Sequence, residues 1–232
     1  MPRWRAVVFD LDDTLYPERD YVMSGFRAVA LWADVNLGIS SDKGRQELRA
    51  LLERGVRGDT FDRWLVTHNR FSKARVAQLV WTYREHEPLI KPYPEVPEVL
   101  RSLKSRYLLG LVSDGYLEVQ RRKLEALRLA PWFDAIVFSD EWGRKAWKPS
   151  TQPFEAILQR LGNLPGRDVV YVGDNPAKDF LAARRAGLAA VQVRRRCAVH
   201  AHMAPATPDH RPHLVIRTLR ALPQALERLR VE

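Results

Sequence analysis

Short apolar runs that stop abruptly, with helical segments between them, recur through the chain. Ala6-Val7-Val8-Phe9 ends at Asp10, and comparable runs are Tyr107–Val112, Ala135–Phe138, Val169–Val172 and Ala189–Val193. Runs this short and this uniformly apolar read as strands buried on both faces. Glu95–Lys104, Tyr116–Leu127, Pro153–Leu161 and Pro176–Ala186 carry helical period. Strands alternating with helices predict an α/β fold with a parallel sheet covered on both sides. A short strand at Leu214–Ile216 and an amphipathic helix from Thr218 to about Leu229 close the domain.

The interval 16–88 breaks this rhythm. It carries no strand pattern, only helical patterns near 20–36, 41–54, 60–67 and 72–87, with Ser41, Asp59 and Ser72 as expected N-caps. Pro88, Pro92, Pro94 and Pro97 then mark re-entry into the alternating pattern. Some seventy residues of helix between the first two strands exceed an ordinary crossover. The expected organisation is a core of residues 1–15 and 89–232 with an inserted helical domain at 16–88.

Composition narrows the setting. The chain has 232 residues, 46% hydrophobic and 28% charged, which suits one α/β domain with an insert. A single cysteine, Cys197, cannot form an internal disulfide and fits a reducing compartment or simple indifference to redox. Met1–Arg5 leads into only a short apolar run, and no stretch suits a bilayer span, so no secretory signal and no membrane partner are expected and cytoplasmic residence is. The net charge of +10 attracts anions, nucleic acid among them. The basic residues are scattered, however, and the clusters Arg121-Arg122-Lys123 and Arg194-Arg195-Arg196 lack interleaved aromatics, which argues against a nucleic-acid partner. Residues 194–213, rich in Pro, His, Ala and Arg, read as a surface loop. Its histidines, His200, His202, His210 and His213, have no spacing that organises a metal site.

Chemistry concentrates at the strand ends. After the first strand, Asp10 and Asp12 stand two residues apart where open α/β sheets bind ligands. Clustered carboxylates repel near low dielectric unless a cation neutralises them, and a hard ion such as Mg²⁺ is the natural partner. After the second strand, Ser113-Asp114-Gly115 offers a hydroxyl and backbone N–H groups to a phosphoryl oxygen. Lys148, in Trp147-Lys148-Pro149, can neutralise a carboxylate and a transferring phosphoryl group. After the fourth strand come Gly173-Asp174-Asn175-Pro176-Ala177-Lys178-Asp179. Pro176 suits the first turn of a helix, and Asp179 lies about a turn and a half into it, able to orient a ligand or Lys178. Each signal is weak alone; four in order, each just past a core strand, are specific.

These four stretches, DLDDTL at 10–15, SDG at 113–115, KP at 148–149 and GDNPAKD at 173–179, resemble the motifs of the haloacid dehalogenase-like (HAD) hydrolase superfamily along the whole chain. The resemblance implies a Rossmann-like core with the first strand central and, at 16–88, an all-helical cap of the class I type. It implies Asp10 as a nucleophile forming an aspartyl phosphate. It implies Asp12 as general acid and base. Ser113 and Lys148 would hold the phosphoryl group, helped by Thr14 and the Asp114 backbone N–H. Asp10, the Asp12 carbonyl and Asp174 would bind Mg²⁺, with Asp179 ligating or supporting the site. Asp13 takes no catalytic role. Leu15-Tyr16-Pro17-Glu18 would be the junction into a cap whose closure excludes water. Arg19, Asp20, Tyr21 and Arg57 are polar cap residues, ordinary surface groups unless a substrate meets them. The implied activity is Mg²⁺-dependent hydrolysis of a small phosphorylated metabolite. A 2-haloacid dehalogenase needs no acid two residues after its nucleophile. A sugar phosphomutase shares all four motifs and needs specific cap groups that the sequence does not display. The substrate and the oligomeric state are not legible in the sequence.

Overall fold

The computed structural model describes residues 4–230. It divides into two compact units: one runs up to Glu18 and resumes at Lys91, and the other is Arg19–Ile90. The divisions lie slightly beyond 15/16 and 88/89 because the junction is bonded into the first unit. The Tyr16 hydroxyl donates to Asp12, and Glu18 N donates to Asp13 Oδ1 at 2.9 Å.

The first unit is built on six parallel strands, β1 (Ala6–Phe9), β2 (Leu108–Ser113), β3 (Ala135–Phe138), β4 (Val169–Gly173), β5 (Ala189–Val193) and β6 (Leu214–Ile216). Their order is β3-β2-β1-β4-β5-β6, so β1 is central, as the resemblance implies. β1 is in register with both neighbours, Phe9 lying opposite Leu111 and Val172. Every residue of β1 and β4 is buried, which is why these runs are apolar throughout rather than alternating. Five helices belong to this unit: α5 (Val96–Lys104), α6 (Leu117–Leu127), α7 (Gln152–Arg160), α8 (Asp179–Arg185) and α9 (Leu222–Arg228). Phe154, Ile157, Ala182 and Ala183 of α7 and α8 pack with Val8, Val112, Val137 and Tyr171 of the sheet. Val7 and Phe9 point to the opposite side. Trp4 Nε1 donates to Leu226 O at 3.0 Å and ties the start of the described chain to α9.

The second unit is all helical: α1 (Glu18–Leu37, starting one residue before the division), α2 (Ser41–Glu53), α3 (Thr60–Thr67) and α4 (Lys73–Glu85). Phe26, Val29, Ala33, Leu48, Trp64, Leu65 and Leu79 form its own core. Of the expected N-caps, Ser72 accepts from Arg75 N. Asp59 occupies a cap position but gives its carboxylate to Arg63 instead, and Ser41 is already helical, the cap position being Ser40. Arg19 pairs with Glu53, Tyr21 donates to Tyr83 O, and Arg57 donates to Leu52 O and Val56 O, so these polar groups serve the unit's own structure.

Two local expectations are corrected. The helix after β4 does not start at Pro176: residues 175–178 form a turn, and Asp179 is the first residue of α8. The segment 194–213 is not merely a surface loop. Arg195 is buried, donating to Glu95 Oε1 at 2.8 Å and to Thr14 O at 3.1 Å. Val199 N donates to Asp13 Oδ2 at 2.7 Å. Asp13 sits at φ 52° with both carboxylate oxygens accepting backbone N–H groups, so its part is to brace the loop after β1. No described helix is long and apolar enough to cross a membrane.

Candidate active site

A parallel sheet gathers its loops at the C-terminal ends of its strands, on either side of the point where strand order reverses. Here that point is β1, flanked by β2 and β4. Asp10 follows Phe9 directly, and its N–H donates to Val172 O at 2.9 Å, which keeps it aligned with the tip of β4. Ser113 ends β2, Gly173 ends β4, and Asp174 follows. Gly173 is needed for close approach: a Cβ there would lie 2.6 Å from Asp179 Oδ2.

Asp10, Asp174 and Asp179 converge, with one carboxylate oxygen from each within 4.8 Å of the others, all three buried. At that spacing each ionised pair repels by roughly 3 kcal/mol at an effective dielectric of 20. Burial and its acidic neighbours accordingly push the Asp10 carboxyl up to about 7, although Lys148 works in the other direction. Burial, then Asp179 and Asp10, raise Asp174 well above the usual carboxylate range. Asp174 Oδ2 is buried with no hydrogen-bond partner among the described residues. A buried carboxylate oxygen without a partner, beside two other acids, is the donor set that a hard divalent cation fits.

Lys148 supplies part of the counter-charge. Its Nζ lies 2.6 Å from Asp10 Oδ1 and 2.8 Å from Asp179 Oδ1, and donates to the Tyr171 hydroxyl at 2.8 Å. Burial favours the neutral amine, but Asp10 and Asp179 outweigh it and hold the ammonium well above its ordinary value. Asp179 Oδ2 also accepts Asn175 N at 2.9 Å. With both oxygens already bonded, Asp179 suits a supporting place more than a direct ligand.

Asp12 does not join that group. Its carboxylate turns to Lys123, whose Nζ lies 2.8 and 3.0 Å from the two oxygens, and the Tyr16 hydroxyl donates to Oδ1. Burial works to raise Asp12, and Lys123 with Tyr16 overcomes it, leaving the carboxyl below its ordinary value. Of the phosphate-binding candidates, Ser113 is buried and its Oγ donates to Gln120 Oε1 at 3.0 Å. Gly115 stands at φ +127°, where a side chain would collide with the Gln120 amide. The Asp114 carboxylate is a hub: it accepts from Ser139 Oγ at 2.6 Å, Lys148 N at 3.2 Å and Lys178 Nζ at 3.2 Å. Thr14 Oγ1 is buried without a partner among the described residues.

Gln120, Lys123, Ser139 and Tyr171 are the site residues that sequence reasoning missed, and Lys178, there only a group for Asp179 to orient, reaches Asp114 instead. Gln120 and Lys123 carried a signal, two polar residues at i and i+3 on the buried face of α6 with Val119, Leu124 and Leu127. Lys123 stands in the basic cluster Arg121-Arg122-Lys123 of the sequence, and in the structure it is buried. None of the loop histidines joins a group able to hold a metal among the described residues, and His213 Nδ1 accepts from Ala190 N at the sheet edge.

Known proteins resemble this chain in sequence and in fold. The sequence pattern of the haloacid dehalogenase-like hydrolases matches residues 7–193. A glyceraldehyde 3-phosphate phosphatase of Methanopyrus kandleri is 33% identical over 94% of this chain and 95% of its own. A phosphoglycolate phosphatase of Aquifex aeolicus is 32% identical over 79% and 81%. Among solved structures, a HAD phosphatase from Thermococcus onnurineus superposes with a TM-score of 0.62 at 28% identity, covering 98% of this chain and all of its own.

Proposed function

The chain belongs to the haloacid dehalogenase-like hydrolases, and from that premise we propose that it hydrolyses a small phosphate monoester through a phosphoryl group carried on Asp10. The observation that carries the reading is the meeting of Asp10 with Asp174 and Lys148, an anionic group flanked by one fixed cation and one partnerless buried oxygen.

The residues divide the work as follows. An Asp10 oxygen attacks phosphorus while the ester oxygen departs in line. Asp12 gives its proton to that leaving oxygen, then takes one from the water that cleaves the aspartyl phosphate. Lys148 stays protonated and offsets the charge on Asp10 and on the phosphoryl oxygens. Ser113 and Thr14 are read as the groups that meet those oxygens, a reading supported at Thr14 by a buried hydroxyl that no described residue engages. Asp10 and Asp174, with the Asp12 carbonyl, would hold Mg²⁺ and Asp179 would support it. The ion supplies charge neutralisation that Lys148 alone does not complete. The helical unit is read as a cap domain of the class I type that sets specificity.

Relatives named for glyceraldehyde 3-phosphate and phosphoglycolate favour a two- or three-carbon phosphate as substrate. A panel of such esters with nucleoside monophosphates and hexose phosphates, assayed for phosphate release in Mg²⁺, tests this. The expected result is highest kcat/KM on the small acids and aldehydes. Isomerisation of a sugar phosphate without steady phosphate release would overturn hydrolysis.

A further inference from the structure

Helix α6 turns a lysine inward. Lys123 is 4% exposed, and its ammonium straddles both oxygens of Asp12 at 2.8 and 3.0 Å. Tyr16, fully buried, donates to one of the same oxygens. A carboxylate held by a bidentate ammonium and a phenol has its plane and rotamer set by two other elements of the fold. An exposed ion pair would do little, but this lysine is almost wholly removed from water, so the geometry is held rather than sampled.

We propose that Lys123, with Tyr16, is a positioning residue for proton transfer by Asp12. The proposal rests on the phosphatase reading above. In the first step the bond from Asp10 to phosphorus forms as the ester P–O bond breaks. The electron pair of the broken bond stays on the leaving oxygen, which takes the proton of Asp12. Asp12 is then the carboxylate seen here between Lys123 and Tyr16. In the second step water attacks phosphorus, its proton returns to Asp12, and the P–O bond to Asp10 breaks. Lys123 transfers nothing itself; it acts through Asp12, whose carboxyl group it aims.

The consequence separates positioning from mere folding. An alkyl phosphate needs a proton on its leaving oxygen, whereas p-nitrophenolate leaves without one. The parameter kcat/KM reports steps up to leaving-group departure and is insensitive to the later water step. In Lys123→Met the ratio of kcat/KM for an alkyl phosphate to that for p-nitrophenyl phosphate should fall at least about tenfold, within the range that general acid catalysis contributes. Lys123→Arg should recover part of the ratio, and Tyr16→Phe should lower it less than Lys123→Met. Equal losses on the two esters, in a variant that circular dichroism shows to be folded, would overturn the proposal. Should Lys123→Met fail to fold, an unchanged ratio in both Lys123→Arg and Tyr16→Phe would do the same. Wild-type protein that hydrolyses neither ester would instead take down the reading beneath it.

Discussion

Asp179 and Lys148 meet at 2.8 Å with both side chains completely buried, and the other Asp179 oxygen is held by the Asn175 backbone. Asp179 therefore fixes the ammonium that also touches Asp10, so one buried acid sets the position of the cation beside another. Tyr171 completes the arrangement, accepting from Lys148 and donating to Asp179 Oδ1 at 3.1 Å.

Removing Lys148 would leave two buried carboxylates without their cation. Breaking a buried pair from one side costs about 3–5 kcal/mol. Lys148→Met should lower the melting temperature by at least about 6 °C at neutral pH, from about 2–4 °C per kcal/mol for a domain of this size, and reduce phosphate release to background. Thermal unfolding followed by circular dichroism checks the first outcome. An unchanged melting temperature would show that the ion pair does not hold the site together.

Divalent metal should stabilise the fold through Asp10 and Asp174. At a hundredfold excess over its dissociation constant, Mg²⁺ should add about 2.7 kcal/mol, or about 5 °C or more in melting temperature. Asp174→Asn should abolish most of that shift, and EDTA should stop turnover until Mg²⁺ is returned. A shift of equal size in wild type and variant would place the metal elsewhere.

Acid should weaken that metal site. The Asp10 carboxyl is raised by burial from 3.8 to about 7, and burial with Asp179 and Asp10 raises Asp174 as well, so metal must displace protons from them. Apparent Mg²⁺ affinity should fall as pH drops below about 7. In metal-free protein the folded state binds more protons than the unfolded chain between 3.8 and about 7, so this group's contribution to stability declines as pH rises through that window. Metal-free Asp10→Asn, which carries no charge there, should be at least as stable as wild type at pH 8. A lower melting temperature for the variant under those conditions would contradict the assignment.

Freeing Ser113 should weaken phosphoryl binding without altering leaving-group dependence. Gln120→Leu removes the acceptor of the Ser113 hydroxyl, and KM should rise about fivefold or more for alkyl and aryl phosphates alike, the equivalent of about one hydrogen bond. Steady-state kinetics on both esters would show it, and a loss confined to alkyl esters would contradict it.

The sheet and most of the acid positions were legible because burial on both faces makes strands such as 6–9 and 169–172 uniformly apolar, and a charge can follow only where the strand leaves the core. The order of the motifs then set Asp10 and Asp174 at the neighbouring tips of β1 and β4, and Lys148 on the loop beyond β3. What surrounds them was hidden for a different reason. Tyr171 sits in an apolar strand and reads as core, and Lys123 reads as one more surface cation, because inward rotation of a side chain is a tertiary event. The Asp114 carboxylate answers to Ser139 and Lys178, partners that no local spacing reveals. Pro176 signalled a helix start too early, since residues 175–178 make a separate turn first.

The central claim is that the phosphoryl group passes through Asp10. Acid-quenching the protein during turnover of a small phosphate monoester in Mg²⁺, followed by peptide mass spectrometry, tests it directly. The account predicts one added phosphoryl group on the peptide carrying Asp10 and none on Asp10→Asn. A phosphoryl group on any other residue, or full turnover by Asp10→Asn, would contradict it.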